Sequence, residues 1–238
     1  MHLKLNEYRG ILDRETKKIF LESFKHALNK VDKYKFGFVG IAGSIDKEES
    51  HDIDVIILPN KDVKIGEAII ELIKLYDKTE EYMKRHHKRY YLVPCPKFAM
   101  QEMVYHIAAG EEGFAGMIPL HSMFFTNYKD LKRLSPKSFL QKIKNELIIL
   151  HGSFKIIKDL PELPQKKLEP YFFLLDFEMN SRIRNFPKHL IRTSAEALFE
   201  YLNKRYGIKV SYEIPHDVIG IEREFIKLLR LLDKKTYS

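Results

Sequence analysis

The sequence contains a single cysteine, Cys95, and no tryptophan among its 238 residues. One cysteine can form neither an intramolecular disulfide framework nor a cysteine-based zinc site, so we expect a reducing, intracellular environment. No apolar run approaches the ~20 residues that a membrane-spanning helix needs. Residues 1–10 also lack the apolar core of a signal peptide, and together these absences predict a cytoplasmic protein.

What the chain does contain is charge of both signs. Charged residues make up 31% and hydrophobic residues 45% of the sequence, which is typical of a folded globular protein. The formal net charge of +8 favours anionic partners such as nucleotides or RNA, although a solvated lysine-rich surface explains it equally well. The abundance of lysine and glutamate is also typical of proteins from thermophiles.

Apolar residues recur at helical or strand spacing, and the order of these segments predicts the fold class. Strands and helices alternate through about residue 125, whereas only helices follow the proline- and lysine-rich connector at 159–170. We therefore expect an α+β (α/β) fold in which residues 1–160 form a mixed sheet flanked by helices and residues 161–238 form an all-helical domain. The predicted helices span 13–31, 65–86, 137–151, 168–184, 188–206 and 215–233, and the predicted strands span 35–42, 52–58, 89–93 and 117–125.

Residues 36–58 carry the strongest functional signal. An apolar segment ends in Gly43-Ser44, a polar loop follows, and Asp52-Ile53-Asp54 leads into a second apolar segment. In a strand, Asp52 and Asp54 share one face, and two such carboxylates repel each other unless a cation lies between them. Magnesium bound in this way takes its other ligands from water and a triphosphate, while Gly43 and Ser44 suit phosphate binding. The alternative is that Asp52 caps a turn and Asp54 lies exposed at a strand end.

The same stretch resembles the motif of the nucleotidyltransferase superfamily that includes DNA polymerase beta-like and kanamycin nucleotidyltransferase-like proteins. The motif joins an apolar residue, Gly and Gly or Ser to a later Asp–apolar–Asp–apolar run, here Ala42-Gly43-Ser44 and Asp52-Ile53-Asp54-Val55. The resemblance implies a magnesium-dependent enzyme that moves a nucleoside monophosphate from a nucleoside triphosphate such as ATP to a hydroxyl acceptor. It assigns metal binding to Asp52 and Asp54 and phosphate binding to Gly43 and Ser44. It also suggests a homodimer and an acceptor that is a small molecule, a protein side chain or an RNA end.

Members of this superfamily carry a third carboxylate on a neighbouring strand, and Glu102 is our candidate. Residues 97–107 alternate as a strand would, with Glu102 and Val104 on one face, although their composition also favours a helix. Pro94 and Pro96 should end the preceding strand. The resemblance assigns Glu102 the completion of the metal site or the removal of the acceptor's proton.

Other segments carry weaker functional signals. We expect His121, inside an apolar strand, to be a core or sheet-face residue, and the basic segment 84–89 with His86 and His87 to be a helix terminus rather than a metal or phosphate site. Arg184 and His189 fit the short pattern of HEPN ribonuclease domains, but Pro187 between them argues against one continuous helix.

Two functions of other classes are compatible with the same residues. One is a non-enzymatic nucleotide-binding or antitoxin-like regulatory protein, in which Glu102 need not lie near Asp52 and Asp54. The other is an RNA-binding module that uses the positive charge, although the sequence carries no aromatic-rich RNA motif.

Overall fold

The computed structural model describes a subset of the chain, and for residues 16, 84, 90–99, 102–109, 117–124 and 218–224 it describes the backbone alone. The described residues are 14–42, 45, 53–86, 90–99, 102–109, 117–124, 145–153, 155, 167–168, 170–171, 174, 203–204, 207 and 218–238.

Two N-terminal helices form where the apolar periodicity predicts them. Helix α1 spans Arg14–Leu28 and helix α2 spans Ile65–His86. In α1 the apolar stripe that the spacing predicts is buried, because it packs on α2 and on the sheet. A short 3-10 turn, Lys33–Lys35, leads from α1 into the first strand. Asp13, with which the predicted helix 13–31 begins, lies outside the described residues.

Six strands form one mixed sheet in the order β3-β4-β5-β2-β1-β6. Strand β2 runs parallel to β5, and the other neighbouring pairs are antiparallel. The coarse α+β prediction is therefore confirmed. The strands are β1 Phe36–Ala42, β2 Ile53–Pro59, β3 Tyr90–Ala99, β4 Glu102–Ala109, β5 Met117–Phe124 and β6 Ile148–Gly152.

The predicted structure of residues 89–107 is wrong in its strand boundaries. Strand β3 runs through Pro94 and Pro96 to Ala99, and β4 begins at Glu102 and returns antiparallel to it. Proline is compatible with β3 because, among the described strands, this one lies at the end of the sheet order and pairs with β4 alone. The pairing register shifts between Cys95 and Phe98, on either side of Pro96.

The predicted helix over 137–151 is wrong at its C-terminal end. Residues 148–152 form β6, which pairs antiparallel with β1 and extends the sheet. The strand ends at Gly152, whose φ of 72° is readily adopted only by glycine. A Cβ atom there would lie 1.9 Å from the carbonyl oxygen of Gly37, so the tight approach of β6 to β1 requires glycine.

The last helix, α3, spans Val218–Thr236 and confirms the helix that we predict over 215–233. Its buried apolar residues join α1, α2 and one face of the sheet in a single hydrophobic core. The predicted domain boundary near residue 160 lies outside the described residues. None of the helices in the described part of the chain is both long enough and apolar enough to cross a membrane.

Candidate functional site

Asp54 is the residue at which the otherwise buried strand β2 becomes accessible to solvent. It is the only residue of β2 that is not buried, whereas Ile53 and Val55 on either side of it belong to the hydrophobic core beneath the helices. Because successive side chains of a strand alternate, Asp54 lies on the face opposite that core, together with Ile56 and Leu58. Asp54 therefore lies near the start of β2 as a partly exposed residue.

The pairing of β1 with β2 brings the two halves of the motif to one edge of the sheet. Ala42, the last residue of β1, is paired with Asp54. Gly43 and Ser44 follow Ala42 in the chain and Asp52 precedes Ile53, so all three are attached to this edge, although they lie outside the described residues. Ile45, between the two strands in the sequence, is buried and belongs to the hydrophobic core. This edge is formed by the ends of the strands and not by an outer strand, and we call it the motif edge.

The row of residues that crosses the sheet at Asp54 continues onto β5 and β4. In the parallel pair, Asp54 is aligned with His121, and in the next pair His121 is aligned with Val104. Aligned residues of neighbouring strands lie on the same face of a sheet, about 4.8 Å apart along the row. His121 is thus the nearest titratable residue to Asp54 in the described strand on that side.

Glu102 lies in a different row and toward the other end of the strands. It is aligned with Met123, which is itself aligned with Ile56. It therefore lies two strands across and two residues along from Asp54, on the same face. Ideal strand spacings put the two Cα atoms about 12 Å apart, which is farther than the separation of Asp54 from His121. The catalytic role of Glu102 stays a prediction.

A second carboxylate near the motif edge escapes sequence reasoning. Glu146 lies just before β6, whose Ile148 is aligned with Ile41 close to the end of β1. Its Oε2 atom is buried and makes no hydrogen bond within the part of the chain that the structure describes. Inside the segment 137–151, which we predict as a helix, nothing in the sequence distinguishes this glutamate from the other polar residues.

The donor atoms at the motif edge fit a divalent cation in part. Carboxylate oxygens of the kind that Asp54 provides, and that Asp52 would add, are the ligands magnesium prefers. Among the side chains that the structure describes, no group of three histidine, cysteine or acidic residues converges as a metal site would. Residues 43, 44, 52, 102 and 121 are not among those side chains, so the fit rests on backbone register and donor chemistry.

The C-terminal end of α2, where we predict a basic helix terminus, carries a cluster of stacked rings. The ring of Tyr82 lies between those of His26 and His86, with centroid distances of 4.2 and 4.3 Å. Arg85 in the same turn donates a hydrogen bond to Glu81. The pKa of Glu81 is lowered, chiefly by its hydrogen bond from Lys78 and next by the charge of Arg85. His87 and the adjacent basic residues, like Arg184 and His189, lie outside the described residues.

A buried acid on α3 is the other polar centre that the sequence did not reveal. Asp233 is only 3% exposed, and it accepts hydrogen bonds from the amides of Gly66 and Glu67 at 2.9 and 3.2 Å. The hydroxyl of Tyr171 donates to it at 2.9 Å. Asp233 therefore caps the N-terminus of α2 from a distant helix. The sequence offers one signal that Asp233 is buried, namely its position four residues after Leu229 on the apolar stripe of α3.

No protein-family model matches the sequence, and no curated protein matches it.

Proposed function

We propose that this protein is a metal-dependent nucleotidyltransferase on a nucleotidyltransferase-like mixed sheet, followed by an all-helical C-terminal domain. The observation that carries the proposal is the alignment of Ala42 with Asp54. This alignment attaches the Gly43-Ser44 pair and the Asp52-Ile53-Asp54 run to the same edge, where Asp54 is the accessible residue of an otherwise buried strand. A phosphate-binding turn beside a pair of carboxylates suits a nucleoside triphosphate carried with its cation.

In the reaction, a hydroxyl oxygen of the acceptor forms a bond to the α-phosphorus, and the bond from that phosphorus to the leaving pyrophosphate breaks. Asp52 and Asp54 would hold magnesium, which neutralises charge on the phosphate oxygens when it is bound. The amides and hydroxyl of Gly43 and Ser44 would position the phosphates by hydrogen bonds. Glu102 is the proposed acceptor of the hydroxyl proton, within a cytoplasmic and homodimeric enzyme.

A second candidate function is favoured by the position of Glu102. A transferase of this kind needs a third group close to the aspartates, and Glu102 lies two strands across from Asp54. A non-enzymatic nucleotide-binding or antitoxin-like regulatory protein needs only the phosphate turn and a cation site. Such a protein would bind a triphosphate with its cation and transfer nothing.

The test is transfer of label from each α-labelled nucleoside triphosphate to a panel of hydroxyl acceptors and to the protein itself. We expect Asp54→Asn and Asp52→Asn each to lower the rate by roughly 1000-fold, because metal-assisted charge stabilisation contributes several kcal/mol. The matched control is Asp62→Asn, since Asp62 is an exposed acid beyond the other end of β2.

Three results would separate the candidates. Transfer that is lost in both aspartate variants and kept in the control supports the enzyme. Cation-dependent nucleotide binding without transfer in the unaltered protein supports the regulatory function. Transfer that continues unchanged in both aspartate variants contradicts the proposed site.

A further inference from the structure

Tyr34 lies on the surface just before β1. It belongs to the 3-10 turn Lys33–Lys35 and is 72% exposed, although Phe36, two residues later, is buried in the core. Burying an aromatic ring is strongly favourable, so a large ring left in solvent is a candidate contact for a partner. Strand β1 has seven residues and ends at Ala42 on the motif edge, which puts Tyr34 about 20 Å away, at the other end of the strand. Tyr34 therefore lies outside the site of the proposed function.

Hydrogen bonds from other segments hold the chain in place at Tyr34. The backbone amide of Asn60 donates to the carbonyl of Lys35 at 2.9 Å, and its side-chain amide donates to the carbonyl of Tyr34 at 3.2 Å. The ring of Tyr34 meets that of His151 edge-on, with centroids 5.8 Å apart and planes at 83°. The Nε2 atom of His151 lies 3.1 Å from the carbonyl oxygen of Phe36, and because a carbonyl only accepts, Nε2 is the donor. The exposed ring is thus supported by three segments of the chain.

The segments that meet at Tyr34 carry an excess of positive charge. They contain two acids, Asp32 and Asp62, against six lysines. One lysine is neutralised, because Lys35 forms an ion pair with Glu67 at 2.6 Å. The other lysines leave this surface net positive, and such a surface attracts polyanions. The three segments are residues 30–35, 60–64 and 151–155.

Three of these lysines come from three different parts of the fold. Lys33 lies in the 3-10 turn, Lys61 in the turn after β2 and Lys155 beyond β6. The ammonium group of Lys33 lies 3.4 Å from the amide oxygen of Asn29, which is a neutral partner. Lys61 and Lys155 are exposed, and neither forms an ion pair with the residues that the structure describes. An exposed ring among ammonium groups suits a ligand that alternates bases with phosphates.

We propose that Tyr34 and the lysines around it bind single-stranded nucleic acid, with one base stacked on the ring and the adjoining phosphates bound by Lys33, Lys61 and Lys155. A single strand fits because its bases are free to stack on a side chain, whereas the bases of a duplex are already paired and stacked on one another. Base stacking and phosphate contacts are common to RNA and DNA, so both are expected to bind.

The absence of tryptophan from the chain gives a direct test of stacking. Tyr34→Trp introduces a unique fluorescent reporter that keeps an aromatic surface, and a base stacked on the indole quenches its emission. We expect quenching by single-stranded RNA and DNA oligonucleotides and much less by a duplex of the same sequence. The control is Tyr82→Trp on α2, where the native ring is stacked between two histidines, and its emission should not respond.

Affinities for a labelled single strand, measured by fluorescence anisotropy, give a second readout. Tyr34→Ala should weaken binding about 5- to 150-fold, as the loss of one stacked base does, whereas Tyr34→Phe should keep it. Lys61→Gln and Lys155→Gln should each lower the slope of log affinity against log salt by about 0.7. Lys18→Gln, at an exposed lysine near the start of α1, should leave that slope unchanged. Thermal unfolding of each variant establishes that it is folded.

The outcomes separate this site from other surfaces. Quenching in Tyr34→Trp, together with a loss of affinity in Tyr34→Ala that Tyr34→Phe avoids, supports the proposal. Binding that is equally tight in Tyr34→Ala overturns it, and a loss in Tyr82→Ala alone places the nucleic acid at the end of α2 instead. Failure of every oligonucleotide to bind also overturns it. If sedimentation then shows a dimer that Tyr34→Ala dissociates, the ring is an interface between two copies of the chain. Nucleoside triphosphate is not needed in any of these measurements, so their result is independent of nucleotide transfer.

Discussion

At the scale of the residue, Asp233 is a buried acid whose pKa is shifted by its surroundings in the core. Burial raises its pKa above the ordinary value of 3.8, and the hydrogen bonds from Gly66, Tyr171 and Glu67 oppose that shift without cancelling it. The folded protein therefore holds the proton of Asp233 more tightly than the unfolded chain does. The sign is opposite to that of a salt-bridged surface aspartate.

The raised pKa of Asp233 leads to a prediction about how the stability of the protein depends on pH. A raised pKa contributes stability that is fully present below 3.8 and is lost as the pH rises through the pKa of the folded state. Asp233→Asn, which cannot ionise, should flatten this part of the dependence of the melting temperature on pH. The measurement is thermal unfolding from below the ordinary aspartate pKa to neutrality. Asp62→Asn is the exposed control, and equal slopes in the unaltered protein and Asp233→Asn would contradict the prediction.

A second residue-scale prediction concerns Gly40 in the centre of β1. A Cβ atom there would lie 2.5 Å from the Cζ atom of Phe38 and 2.9 Å from the Cδ1 atom of Leu147. Gly40→Ala should lower the free energy of unfolding by about 1–3 kcal/mol, the usual cost of overpacking. Denaturant titration measures the loss. Combining it with Phe38→Leu should cost less than the sum of the single changes, because the smaller side chain relieves the clash; strict additivity would argue against this contact.

At the scale of the element, helix α3 offers a matched pair of leucines. Leu229 is fully buried in the hydrophobic core, whereas Leu231 is 40% exposed on the same helix. Leu229→Ala should lower the free energy of unfolding by about 2–5 kcal/mol through lost burial and the remaining cavity. Leu231→Ala should change it by less than about 0.5 kcal/mol, as is usual on surfaces. Equal losses in chemical denaturation would mean that α3 packs in another orientation.

The elements also show which structural features can be predicted from local sequence. Helices α1 and α2 carry an apolar stripe and β1 and β2 are short apolar runs, so each can be recognised from its own residues. The boundary between β3 and β4 could not be recognised, because the prolines of β3 suggest an early end and the alternation after them continues from one strand into the next. Among the described strands, β6 pairs with β1 alone, which precedes it by many residues, so its own residues do not reveal it.

The same limit applies to the candidate site. Asp54 and the Gly43-Ser44 pair belong to one continuous motif, so the sequence alone could locate them. The alignment of Asp54 with His121 arises from a parallel pair whose strands are separated by a helix and a hairpin. No local spacing encodes such an alignment, so the sequence alone cannot show which residue of β5 lies beside Asp54.

At the scale of the whole molecule, the net charge of +8 leads to a prediction about how salt affects the binding of anionic ligands. A protein that contacts RNA through 6–10 phosphates loses about 10³- to 10⁵-fold in affinity between 50 and 200 mM salt. We expect a nucleoside triphosphate to lose far less over this interval, since it presents only one triphosphate group to the motif edge. Fluorescence anisotropy with labelled ATP and a labelled oligonucleotide measures both slopes. A slope for ATP as steep as that for RNA would place its binding on the general basic surface instead.

The cap that Asp233 places on α2 also has a consequence for synthesis of the chain. Gly66 and its acceptor are separated by 167 residues. At a translation rate of about 5–20 residues per second, the N-terminus of α2 leaves the ribosome roughly 8–30 s before the residue that caps it. During that interval the amides of Gly66 and Glu67 and the apolar face that α3 covers must be exposed to solvent or held by a chaperone. A chain truncated before residue 233 would lack the acid that caps the N-terminus of α2.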